Sequence, residues 1–216
     1  MTLDFLIDKY GKLDNRKIYE KVNSFGDLLK TGMAFLDGRI THSFNHVSQP
    51  DEETLVLLDD MKILHEKGVL TLDSQPQESL FGYSIEYGVD KGLLADIEQK
   101  EYVQCIVRNS DVGKIIRCLS SGGYLYDMVN LNDGSRTSNW CENDYVLSRD
   151  RTYYDKNPVW EDHSFASRIN VDDYFTGLDK FPNICDIIRR ECTGILVHVK
   201  TFGPNGGMIK HMKNSL

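Results

Sequence analysis

Apolar residues recur at helical spacing in two stretches near the N-terminus. Phe25, Leu28, Leu29, Phe35 and Leu36 do so over 24–37, which predicts a helix there. Ser24 stands where an N-cap belongs, Asp27 follows three residues on, and Gly38 marks the stop. Gly26 and Gly32 lower the intrinsic propensity of this stretch. A second helix is predicted over 50–67, where Leu57, Leu58, Met61 and Leu64 form one stripe. Ser48 and Asp51 have capping-box spacing, and Pro50 with Asp51, Glu52 and Glu53 suits a first helical turn. Gly68 then sits where a left-handed C-cap is wanted, and 69–72 reads as a short strand.

The rhythm is clearer from residue 101 onward. Residues 101–108 predict a strand, and 110–121 a helix carrying Val112, Ile115, Ile116 and Leu119 that stops at Gly122-Gly123. Residues 124–131 predict a second strand, Asp133-Gly134 a turn, and 144–149 a third strand. Residues 150–179 are polar and aromatic with weak periodicity, as in a long insertion. Pro182 opens a helix with Ile184, Ile187 and Ile188, and Arg189 and Arg190 lie near its C-terminal end. Residues 193–201 are nearly apolar throughout, which suits a central strand. The order β-α-β-β-α-β is that of a ferredoxin-like sheet. The expected fold class is therefore α+β, with a ferredoxin-like C-terminal half (99–216) packed against a helical or mixed region (1–98) in one domain over 1–216.

Composition narrows the function classes. The 216 residues include 40% hydrophobic side chains, nine Phe, eleven Tyr and two Trp, enough for a sizeable core. With 33 acidic against 25 basic residues the net charge is −8, which disfavours general nucleic-acid binding, since that binding neutralises phosphates with Lys and Arg. Strand 101–108 carries Tyr102 as its one aromatic, unlike an RNA-binding sheet. The first seventeen residues lack a long apolar segment, and no run approaches the ~18–20 apolar residues that span a bilayer. A cytoplasmic protein without a membrane partner is expected. Five cysteines (Cys105, Cys118, Cys141, Cys185 and Cys192), odd in number and without C-x-x-C spacing, read as free thiols in a reducing compartment. Only five prolines and no repeat or low-complexity tract occur, which argues against tethered modules.

Several short segments together resemble a known family. They are Ser24-Phe25-Gly26-Asp27-Leu28, Phe35-Leu36-Asp37-Gly38, Asp51-Glu52-Glu53-Thr54, the run from Gly68 to Pro76 (GVLTLDSQP), and Gln99-Lys100-Glu101-Tyr102-Val103. The chain resembles, over roughly 24–107, a family of uncharacterised bacterial and viral proteins with a G-x-L-T-x-x-S-Q-P segment. Gln77 stands where a glycine often follows the proline in that family, so the turn after Pro76 departs from the pattern. The resemblance implies a shared N-terminal fold and brings no activity with it.

Thr71, Asp73, Ser74 and Gln75 place two hydroxyls, a carboxylate and an amide at a predicted strand end, a common place for ligand contacts. The competing reading is a turn whose side chains satisfy their own backbone. Trp160, Tyr174 and Phe175, with Tyr153, Tyr154 and Phe165, suit an interface or a flat ligand if exposed, and a local core if buried. His42 and His46 have metal-ligand spacing but no third ligand beside them, and neither Glu161-Asp162-His163 nor Asp172-Asp173 has calcium-loop spacing, so no metal site is expected. A cysteine paired with His65, His163 or His198 would make a nucleophilic site, but no local signature supports one. The Gly-rich 203–207 turn, with Lys200, Lys210 and Lys213 around it, reads as the start of a flexible basic tail with no helix after it. No cofactor is implied. The expected function is a non-catalytic binding module for a protein partner or a small ligand. The alternative is an enzyme acting on a small molecule or nucleotide through the 71–76 loop. Homodimerisation through an outer strand follows from the fold expectation alone.

Overall fold

The computed structural model of the chain describes residues 2–44, 55–84, 94–140, 147–152, 160–163, 171–175, 178–202 and 207–216. Three helices open it: α1 (Leu3–Tyr10), α2 (Arg16–Tyr19) and α3 (Phe25–Leu36). The cap read for α3 is built, with Ser24 Oγ accepting the Asp27 N–H at 3.1 Å and the Asp27 carboxylate accepting the Asn23 N–H at 3.1 Å. Helix α4 (Leu58–Glu66) follows, and the proposed start of that helix at Ser48 and Asp51 lies outside the described residues. Gly68, at φ +87°, turns the chain into strand β1 (Val69–Gln75), which is longer than its apolar run suggests.

Strands β2 (Glu78–Ser84), β3 (Leu94–Gln99) and β4 (Tyr102–Arg108) come next, then helix α5 (Val112–Gly122) and strands β5 (Leu125–Asn130), β6 (Arg136–Ser138), β7 (Ser148–Thr152) and β8 (Glu161–His163). Helix α6 (Pro182–Glu191), strand β9 (Cys192–His198) and helix α7 (Met208–Ser215) complete the chain. Two antiparallel sheets result, one of order β1-β4-β9-β5-β6 and one of order β2-β3-β7-β8. The class is mixed α+β.

The strand order differs from the ferredoxin-like expectation. That arrangement would place the strand predicted at 144–149 between β4 and β5. Instead β9, the last strand, pairs antiparallel with both of them, so β4-α5-β5 is a split β-α-β unit with β9 in the gap. Of the strand predicted at 144–149, residues 144–146 lie outside the described residues, and only 148–149 fall in a strand, β7 of the other sheet. Strand β1, from the 1–98 region expected to pack against the sheet, joins the first sheet beside β4.

Alternation sorts the first sheet's side chains onto two covered faces. Val103, Cys105 and Val107 of β4, Tyr126 and Met128 of β5, and Ile195 and Val197 of β9 pack with α4, α5 and α7. Ile106, Val129, Cys192 and Leu196 pack on the opposite face with α1, α2, α3 and α6. Every residue of β9 is buried, which explains its nearly apolar sequence. Helix α7 is a correction to the flexible tail. Met208, Ile209 and Met212 are at most 1% exposed and share one helical face over the sheet.

Gly194 of β9 is required by a close approach. A Cβ there would lie 2.3 Å from Cζ of Tyr174, whose ring is 2% exposed. Gly194→Ala should therefore cost about 2 kcal/mol, an overpacking penalty, and lower the urea unfolding midpoint. An unchanged midpoint would mean that the Tyr174 ring moves aside freely.

Candidate functional site

The four strand-end residues Thr71, Asp73, Ser74 and Gln75 all lie on β1, and a bulge divides them. Thr71 opposes Cys105 and Asp73 opposes Gln104, so Leu72 is the extra residue. Thr71 and Ser74 turn toward α4. The Thr71 hydroxyl lies 2.8 Å from His65 Nε2, and Ser74 Oγ donates to Met61 Sδ at 3.3 Å. Both residues are buried, Ser74 to 3% exposure, so neither presents its hydroxyl to solvent. Asp73 and Gln75 remain half-buried. The Asp73 carboxylate accepts the Tyr102 hydroxyl at 3.0 Å. Gln77, just beyond Pro76, keeps both amide atoms buried and without a partner.

Tyr102 leads across the sheet. It stands directly opposite His198, which places both side chains on one face. His198 is fully buried; its Nδ1 lies 2.7 Å from the Val199 carbonyl oxygen, and Trp140 meets its ring edge-on at 4.7 Å. Further along this face the buried Asp127 pairs with Arg136 at 3.1 Å. Asp73, Tyr102, His198 and Trp140 therefore form a continuous polar and aromatic row.

The second sheet carries a different assembly. Alternate residues of β3 and β7 face each other with opposite charge: Asp96 opposite Arg151 and Glu98 opposite Arg149. Arg149 Nε donates to Glu98 at 2.6 Å and Arg151 Nε to Asp96 at 2.7 Å. These bonds fix both guanidinium planes. Arg149 lies 4.6 Å from the Trp160 ring centre and 4.4 Å from that of Phe202, so it is held between two aromatic rings. Arg151 lies 4.7 Å from the same Trp160 ring. About a third of each arginine stays exposed, and Trp160 is half-buried.

The chain matches no protein-family profile and no curated protein. The site is therefore read from chemistry alone. The three residues expected at an interface separate. Trp160 belongs to the arginine face, Phe175 is half-buried under the Arg189 guanidinium at 4.6 Å, and Tyr174 lies in the core against Gly194. Tyr153, Tyr154, Phe165, His46, Cys141 and 203–206 fall outside the described residues. His42 is used structurally: its carbonyl accepts the Tyr19 hydroxyl at 2.6 Å and Asn15 Nδ2 at 3.0 Å. Among the described residues no three metal-ligating side chains gather. Burial pushes the thiols of Cys105 and Cys192 up to about 12 and raises that of Cys118, so all three are thiols at neutral pH.

Sequence reasoning passed over Arg149, Arg151, Asp96, Glu98 and Phe202. A signal for four of them exists in the alternation of acids in ADIEQ and of arginines in SRDRT, which puts like charges on one face of each strand. Which strand pairs with which is not written in either segment.

Proposed function

We propose that this protein is a non-catalytic binding module that engages a protein partner through the face formed by β3, β7 and β8. The observation that carries the reading is the Arg149 guanidinium held between Trp160 and Phe202 and anchored by Glu98. Trp and Arg are the residue types that concentrate binding energy at interfaces. Here the arginine is already hydrogen-bonded and stacked on the rings, an arrangement that reduces the ordering cost of association. The buried, protonated thiols and the inward-turned Ser74 support this reading over the enzymatic alternative at 71–76.

Affinity capture from the producing cells tests it, comparing the unaltered chain with Trp160→Ala. A partner retained by the former should bind the variant at least about 30-fold more weakly, the loss of about 2 kcal/mol that defines an interface hot spot. Asp8→Ala, on the exposed surface of α1, should leave capture unchanged. The same partner held equally by Trp160→Ala would overturn the assignment.

A further inference from the structure

A cleft of about 210 Å³ opens where α5, β5, β6 and β9 meet. Strands β4 and β5 run parallel, since each is antiparallel to β9. Asn109 follows the carboxyl end of β4, Asn130 ends β5, and Thr193 lies between them on β9. Ser135 and Thr137 close the side toward β6, while Val112 and Met128 supply apolar surface. Crevices outside the carboxyl ends of parallel strands are recurrent ligand sites.

The hydrogen-bonding groups here are mixed and uncharged. Asn130 Oδ1 accepts the Asn132 N–H at 2.9 Å. A backbone N–H can only donate, so the orientation of this carboxamide is fixed and its NH₂ group is the free end. Asn109 Oδ1 accepts the Thr193 hydroxyl at 2.7 Å, which likewise leaves an NH₂ group. Ser135 gives its N–H to Asp133 at 2.8 Å, and its hydroxyl can both donate and accept. Thr137 can both donate and accept. Among the described residues, no charged side chain lines the cleft. Its lining offers an anion no counter-charge.

We propose that this cleft binds a neutral polyhydroxyl compound of about monosaccharide size. Each ligand hydroxyl both donates and accepts, which answers the alternation of carboxamide NH₂ groups with Ser135 and Thr137 oxygens, and its C–H surface rests on Val112 and Met128. The site is separate from the aromatic–arginine face and does not depend on it.

Titrations of the full chain followed by ¹H–¹⁵N NMR test the proposal, with D-glucose, D-ribose, myo-inositol, glycerol and inorganic phosphate as probes. At least one of the four neutral probes should shift the side-chain NH₂ signals of Asn109 and Asn130 saturably. Asn130→Asp keeps an acceptor for the Asn132 N–H but removes the NH₂ donor, and Thr137→Val removes the hydroxyl at equal volume. Each should weaken that probe about tenfold while the rest of the spectrum stays in place. Trp160→Ala should leave the affinity unchanged. The proposal is overturned if no neutral probe moves the two NH₂ signals, if phosphate alone saturates them, or if both cleft variants bind as tightly as the unaltered chain.

Discussion

Replacing Glu101 with alanine will destabilise the protein by about 4 kcal/mol. The side chain is 3% exposed, and its carboxylate accepts three backbone N–H groups at the start of α7: Gly207 at 2.5 Å, Met208 at 2.9 Å and Ile209 at 3.0 Å. A helix begins with N–H groups that lack intrahelical partners and carries partial positive charge there. Glu101 answers both needs from another part of the chain. Hydrogen bonds to a charged group contribute about 1.5–3 kcal/mol each, and alanine abolishes all three. Water can replace the carboxylate only if α7 lifts, which would expose Met208, Ile209 and Met212. The bridge from Lys213 to Asp60, which also ties α7 to α4, is partly solvated and contributes less than about 1 kcal/mol. Urea unfolding should show the drop in midpoint, and the amides of 207–209 should exchange much faster. Glu101→Gln retains an acceptor oxygen and should lose about half as much. An unmoved midpoint in the alanine variant would mean that the methionines alone dock the helix.

Helix α7 also shows where sequence reasoning stopped. Helices α3, α5 and α6 were legible because their caps, stops and apolar stripes are local: Ser24 with Asp27, the glycines at 122 and 123, Pro182 before Ile184. The core strands β4, β5 and β9 were legible as short apolar runs. The start of α7 is fixed by Glu101, far away in sequence, so the segment after Gly207 reads as a tail although Met208, Ile209 and Met212 have helical spacing. Strands β3 and β7 are dense in charge, and the Asp96–Arg151 and Glu98–Arg149 pairs replace the apolar alternation by which a strand is recognised. Strand order was illegible for a similar reason. Nothing in 69–75 or 192–198 states that β1 flanks β4 or that β9 enters the gap between β4 and β5. The candidate sites inherit this dependence: Thr71 and Ser74 look available on an isolated strand and are claimed by His65 and Met61 once α4 packs.

That contact between His65 and Thr71 makes stability fall in acid. His65 is 3% exposed, and its Nε2 accepts the backbone N–H of Thr71 at 3.0 Å with the Thr71 hydroxyl beside it. Because the N–H can only donate, the neutral ring carries its proton on Nδ1, which is buried without a partner. Gly32 of α3 and Leu70 of β1 crowd the same space: a Cβ on Gly32 would come within 2.7 Å of both the His65 ring and Leu70. The contacts that hold the ring bring no charged group to balance an imidazolium. Burial therefore lowers the pKa of His65 to about 4. In the unfolded chain the same group titrates near its ordinary value of about 6.5. Between these two values the unfolded state binds more protons, so stability declines as pH falls from about 6.5 and levels off below about 4. The full difference is about 3 kcal/mol. Carboxylates also protonate toward the acid end, so the difference between the unaltered chain and His65→Gln isolates this group. Glutamine can still accept the Thr71 N–H but takes up no proton. Urea midpoints measured from pH 7 to pH 4 should fall more steeply for the unaltered chain, with the two curves converging or crossing in acid. Parallel curves would show that His65 finds a solvent path or an acceptor on protonation, and would remove it as the source of acid lability.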